Sequence, residues 1–137
     1  MAVKTYRKII DSDPELLPEV EDFIIKISNE IDLNSSKKNN LALSVAEAAS
    51  NAIMHGNKAD HSKKVKISIT LDDKKIRISI KDQGYGFKLS EVPDPTSPEN
   101  ILKDHGRGIH IMKTFLDEMS YNFTSEGTEL IMVMNIS

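Results

Sequence analysis

The chain has 137 residues, enough for one domain with a buried core. Its 39% hydrophobic content excludes a disordered or fibrous protein, and a net charge of −3 with a pI of about 5.8 argues against nucleic acid as the main partner. The absence of cysteine excludes a disulfide framework and a thiolate metal site. The N-terminus has no apolar signal core, and the longest apolar runs, such as Leu130 to Met134, are too short to span a bilayer. These features point to one cytoplasmic domain over residues 1–137, without membrane contact.

In chain order, Val3 to Asp11 reads as a first strand. Asp13 caps a helix that starts at Pro14, and Leu16, Leu17, Val20, Phe23, Ile24, Ile27 and Ile31 recur at helical spacing to about Ile31. Asn34-Ser35-Ser36 reads as a loop and cap before a second helix, which Gly56 ends. Val65, Ile67, Ile69 and Leu71 then alternate with polar residues, as do Ile76, Ile78 and Ile80 after a turn at Asp72-Asp73-Lys74. This predicts a hairpin with one buried face. Gln83 to Phe87 is a glycine-bearing turn, and the segment from Lys88 to Asp104, with three prolines, is long enough for a lid or binding loop. Ile109, Met112, Phe115 and Leu116 predict a third helix. Met119 to Ser125 and Thr128 to Ile136 predict two closing strands.

Three places depart from this patterning. From Asn39 to Asn57 the only formal charge is Glu47. Beside the apolar stripe Leu41, Val45, Ala48 and Ala52 runs a second stripe of Ser44, Glu47, Asn51 and His55, because steps of three and four stay on one helix face. A carboxylate on the border of a buried face needs a partner or a role. Glu47 suits a general base and Asn51, one turn on, an amide-oxygen ligand for a hard cation such as Mg²⁺. A Glu paired with a lysine and an Asn satisfying backbone groups fit the same stripe. Asp82 falls in the inward phase of its strand and opens Asp82-Gln83-Gly84-Tyr85-Gly86, where glycines let a flat ligand approach the backbone and Asp82 accepts from an exocyclic amine. An ordinary capped turn fits that segment too. His105-Gly106-Arg107-Gly108 at a helix start presents backbone N–H groups and a guanidinium to phosphate. A flexible helix start with a solvated Arg107 is the plainer account. His61 and His110 read as surface residues.

Together these motifs resemble the GHKL ATP-binding superfamily, over nearly the whole chain: Glu47-x-x-x-Asn51-x-x-x-His55, Asp82-x-Gly84-x-Gly86, Gly106-x-Gly108, then Gly127-Thr128. The run from Glu47 to Gly56, with Gly108-Ile109-His110-Ile111-Met112-Lys113, looks most like the bacterial anti-sigma-factor serine/threonine kinases. The resemblance implies an α+β two-layer sandwich: a mixed, mostly antiparallel sheet with about three helices on one face. It implies ATP and Mg²⁺ as cofactors, with Glu47 as catalytic base and Asn51 on the metal. Asp82 would receive the adenine amine, with Thr128 supporting it and Gly84 and Gly86 making room. Gly106, Arg107 and Gly108 would meet the phosphates, and the γ-phosphate contact stays open among Lys103, His105 and Arg107. The implied partners are a sigma factor, an antagonist protein phosphorylated on serine or threonine and, as often in the family, a second copy in a homodimer, with no direct nucleic acid. A catalytically silent ATP-binding switch and a detached histidine-kinase catalytic domain are the alternatives. Arg107 departs from the pattern, since many relatives carry an apolar residue there.

Overall fold

A computed structural model describes residues 3–84, 115–124 and 127–136. Strand β1 (Lys4–Asp11) leads through a single 3-10 turn, Pro14–Leu16, into helix α1 (Leu17–Ser28) and then α2 (Ser35–Asn51). A π-helical turn, Ala52–Gly56, continues α2 and is followed by β2 (Lys64–Leu71), β3 (Lys75–Lys81), β4 (Glu118–Thr124) and β5 (Gly127–Asn135). The five strands form one sheet in the order β1-β2-β3-β5-β4, and every pairing in it is antiparallel. Two described helices accompany the sheet, giving the expected α+β class. The predicted third helix up to residue 114, the loop from Lys88 to Asp104, and Gly86, Gly106, Arg107 and Gly108 lie outside the described residues, and Phe115 is helical.

Local chemistry accounts for the element ends. The Asp13 side chain accepts from the Glu15 N–H at 2.9 Å, but the first turn from Pro14 is 3-10, and the α-helix proper begins at Leu17. It also ends at Ser28 rather than near Ile31. Glu30 and Ile31 donate to carbonyls only three residues back, tightening the chain while Ile31 stays buried. Asn34 caps α2 by accepting from the Lys37 N–H at 2.8 Å. Asp72 holds the hairpin turn through the N–H groups of Lys74 and Lys75.

The core lies between the helices and one sheet face. Val20, Ile24, Leu41, Val45 and Ile53 are fully buried against Ile67, Ile69, Ile76, Ile78, Ile80 and Met132. The opposite phase of the strands carries Arg7, Lys64, Lys66, Lys75, Arg77 and Lys81, against only Asp11, Glu118 and Glu129. None of the described helices is long and apolar enough to cross a membrane.

One buried side chain joins the layers. Asn57, fully inaccessible, follows the π-helical turn and donates from Nδ2 to Ser12 Oγ (2.7 Å) and the Lys64 carbonyl (3.0 Å). Its Oδ1 accepts from the N–H groups of Gln83 and Gly84, both at 2.8 Å. Replacing Asn57 by Ala leaves these buried groups unpaired, and each unsatisfied group costs about 1–3 kcal/mol. We expect Asn57→Ala to lose about 3–5 kcal/mol of stability by urea unfolding. A loss of under about 1 kcal/mol would show that the network is not holding the layers together.

Candidate functional site

A cavity of about 390 Å³ opens between the C-terminal half of α2 and the sheet. Its helical wall is Ala48, Asn51, Ala52, His55 and Gly56, and its sheet wall is Ile80, Tyr121, Phe123, Thr128 and Leu130, with Asp82 and Gly84 at one end. Small residues at four-residue steps, Ala48, Ala52 and Gly56, explain why space remains where larger side chains fill the layer elsewhere. The rings of Tyr121 and Phe123 stack at 5.8 Å and 14°. Burial pushes the Tyr121 hydroxyl up to about 12, so the ring is uncharged at neutral pH.

Asp82 sits immediately beyond β3, directly opposite Thr128. Its N–H donates to the Thr128 carbonyl (2.9 Å), and the Thr128 N–H donates to its Oδ1 (3.1 Å). Two glycines are required by its position. A Cβ on Gly56 would fall 2.1 Å from Asp82 Oδ2, and one on Gly127 would fall 2.1 Å from the Asp82 carbonyl oxygen. Gly127 also holds φ at +147°, which side-chain-bearing residues rarely adopt. Burial raises the Asp82 carboxyl to about 6, against lowering by the N–H groups of Thr128 and Gly84 and by the charge of Lys63. Gly84, at φ +42°, is buried and lines the cavity as the sequence suggests.

The helix stripe divides in space. Ser44 is fully buried and donates to the Asn40 carbonyl, which takes it out of the site. Asn51 reaches the cavity, and its buried Nδ2 has no hydrogen-bond partner among the described residues. His55 lines the cavity but is exposed. Glu47 is half-buried one turn before Asn51, outside the cavity lining, and makes no hydrogen bond or ion pair among the described residues. No group of three or more His, Cys, Asp or Glu side chains able to hold a metal occurs among the described residues. His61 is exposed, as expected.

Sequence reasoning missed three features. Gly56 appears as a helix stop in the sequence, whereas the chain passes through a π-helical turn closed by the Asn57 N–H on the Ala52 carbonyl (2.9 Å), and Gly56 makes room for Asp82. Tyr121 and Phe123 line the cavity, a placement signalled only by their sharing strand phase with Met119. Asn57 carries no signal in the sequence, and its role rests on its four partners. Just beyond it, Lys58 and Ala59 take φ of +52° and +56°, a costly left-handed pair that the Ala59 N–H to Ile53 carbonyl bond (2.7 Å) helps hold.

The family described as histidine kinase-like ATPase domain matches residues 10–134. The anti-sigma F factor of Clostridium perfringens (strain SM101) is 33% identical over 108 residues, which cover 75% of this chain and 76% of that protein. The anti-sigma F factor of Bacillus subtilis (strain 168) is 38% identical over 98 residues, covering 68% of this chain and 66% of that protein. In fold, the chain is similar to the catalytic domain of histidine kinase ThkA, with a TM-score of 0.59, 16% identity, and coverage of 99% of this chain and 98% of that one.

The raised Asp82 pKa makes a pH prediction. Between about pH 4 and pH 6 the folded chain binds more protons at Asp82 than the unfolded chain, whose carboxyl lies near 3.8. Ionised Asp82 therefore destabilises the nucleotide-free fold. The penalty is absent below about pH 4, grows as pH rises to about 6, and is constant above. In Asp82→Asn the penalty is gone, so the variant's urea midpoint should gain on that of the wild type across this window and hold its lead at neutral pH. A difference that stays flat from pH 4 to pH 7 would place the Asp82 carboxyl at its ordinary value.

Proposed function

The chain belongs to the family of histidine kinase-like ATPase domains, and from that premise we propose that it is an ATP-dependent protein serine/threonine kinase that acts as an anti-sigma factor. The observation that carries the reading is the Asp82 carboxylate, held opposite Thr128 and against two obligatory glycines at the end of an apolar cavity. Adenine needs such a place. Its faces are flat and apolar, suiting Ala48, Ala52, Ile80 and Leu130, and its exocyclic amine donates to a carboxylate. Thr128 supports that contact, and Gly84, with Gly86, leaves room for the base.

Asn51 fits a metal role, because its amide is not committed to any described protein group and its oxygen is a hard donor for Mg²⁺. Mg²⁺, when bound, neutralises charge on the phosphates. Gly106, Arg107 and Gly108 supply backbone N–H groups and a guanidinium to the phosphates. Glu47, lacking another partner among the described residues, is suited to accept the proton of the acceptor hydroxyl. As that proton leaves, the hydroxyl oxygen bonds to the γ-phosphorus, the bond to the bridging oxygen breaks, and ADP departs. The name anti-sigma F factor, carried by relatives 33% and 38% identical, supports a sigma factor as binding partner. An antagonist protein as phosphoacceptor and a cytoplasmic site of action belong to the same proposal. A homodimer is part of the same proposal.

Three substitutions and a labelled-ATP assay test this reading. Asp82→Asn should weaken calorimetric ATP binding roughly 10- to 150-fold, the equivalent of a charge-assisted bond worth about 1.5–3 kcal/mol. Equal affinity would remove Asp82 from the site. With candidate antagonist proteins encoded nearby as acceptors, Glu47→Gln should keep ATP and sigma-factor binding while phosphotransfer falls roughly 10²–10⁴-fold. Unchanged transfer would exclude Glu47 as base, and no transfer by the wild type would leave a silent nucleotide switch. Asn51→Ala should abolish the extra ATP affinity that Mg²⁺ confers, and a variant keeping it would exclude Asn51 as ligand.

A further inference from the structure

The cavity assigned to nucleotide has a counterpart on the other side of the same strands. A groove of about 830 Å³ lies where β2 begins, β3 ends and β5 begins, and among the described residues it shares only Asp82 and Thr128 with the first cavity. Strand alternation makes the two sites back to back. Asp82 and Thr128 follow the inward phase, whereas Lys81 and Glu129 point outward beside them.

Three lysines, Lys63, Lys66 and Lys81, line this groove. Lys66 and Lys81 are directly opposed across β2 and β3, an arrangement of like charges that destabilises a sheet unless something anionic offsets it. Glu129 offsets it only in part. It is engaged by the Ser79 hydroxyl, by the Asn122 amide at 3.3 Å and by Lys81 at 3.8 Å, and its side chain is only 24% exposed. Lys66 is exposed and makes no hydrogen bond or ion pair among the described residues. The rest of the lining includes Ser62, Asn122 and Thr124; the hydroxyls of Ser62 and Thr124 donate to Asp60 and to the Gly127 carbonyl, and the Asn122 amide gives one of its two N–H groups to Glu129.

We propose that this groove docks an acidic, extended segment of a partner protein. Carboxylates of the segment complement the lysines, and its backbone C=O groups match the second N–H of the Asn122 amide. Nucleic acid fits less well. Among the described residues no aromatic side chain lines the groove to stack a base, and the chain as a whole is acidic at −3. The proposal does not depend on kinase activity, because it uses no residue of the phosphotransfer machinery apart from the shared wall.

Fluorescence anisotropy with a labelled hexaglutamate peptide and the intact chain, at low ionic strength, tests the groove. The wild type should bind, with affinity falling as salt rises. Lys66→Glu with Lys81→Glu should bind at least about tenfold more weakly. Lys75→Glu with Arg77→Glu, on the same sheet face but outside the groove, should bind like wild type. Lys66→Gln with Lys81→Gln removes the repulsion between the strands, so the sheet is retained, and it should also lose binding. No binding by the wild type, equal binding by the groove variants, or equal loss at Lys75 and Arg77 would overturn the proposal. Tighter binding of an oligothymidylate of equal charge would assign the groove to nucleic acid instead. A change of oligomeric state on sedimentation of the groove variants would assign it to a second copy of the chain.

Discussion

Asn57 is the constraint on which the architecture around the site depends. Its amide satisfies four groups that no strand ladder reaches: the Ser12 hydroxyl after β1, the Lys64 carbonyl at the start of β2, and the N–H groups of Gln83 and Gly84 after β3. Chain leaving a sheet carries backbone groups that must find partners when buried. Three strand ends converge on one side chain, which itself ends the helical segment. The helix is thereby tied to the sheet at the end where the cavity opens, and Gly56, the preceding residue, is brought against Asp82.

The same helix closes one part of the interior and opens another. Leu41 and Val45 are fully buried in its first half. Towards its end, the small residues Ala48, Ala52 and Gly56 leave space against the sheet, where Ile80 and Leu130, almost fully buried, form the cavity wall. Empty apolar space costs stability in a core, because the lining atoms lose their contacts. Desolvation of Asp82 adds a second cost. Both are explained by a flat ligand that fills the space and presents a donor to the carboxylate, which is why the arrangement supports the proposed nucleotide role better than a purely structural one.

The strands serve two different surfaces. In β3 and β5 the inward residues build the core and the cavity, while the outward residues carry an excess of lysine and arginine. At the junction of β3 and β5 the two patterns meet within a single step of chain, from Lys81 to Asp82 and from Glu129 to Thr128. A pleated strand has no other way to present opposite chemistries so close together.

Much of this was readable in the residues themselves. The hairpin of β2 and β3, the closing strands, the capping by Asn34 and the inward phase of Asp82 all follow from period and cap chemistry, which act over a few residues and leave a direct trace in sequence. So does the shared face of Glu47 and Asn51. Other features were not legible: the π-helical turn, the early end of α1, the contribution of Tyr121 and Phe123 to the cavity, and the role of Asn57. Sequence by itself determined which face each residue of a helix or strand presents, because backbone geometry repeats with a set period. Only the tertiary structure decided that Gly56 must lack a side chain for the sake of Asp82, that Glu47 stands outside the cavity while Asn51 enters it, and that Asn57 joins three strand ends. Those outcomes depend on distances between segments far apart in the chain, and such distances are set by packing and buried hydrogen bonding, which no local period records.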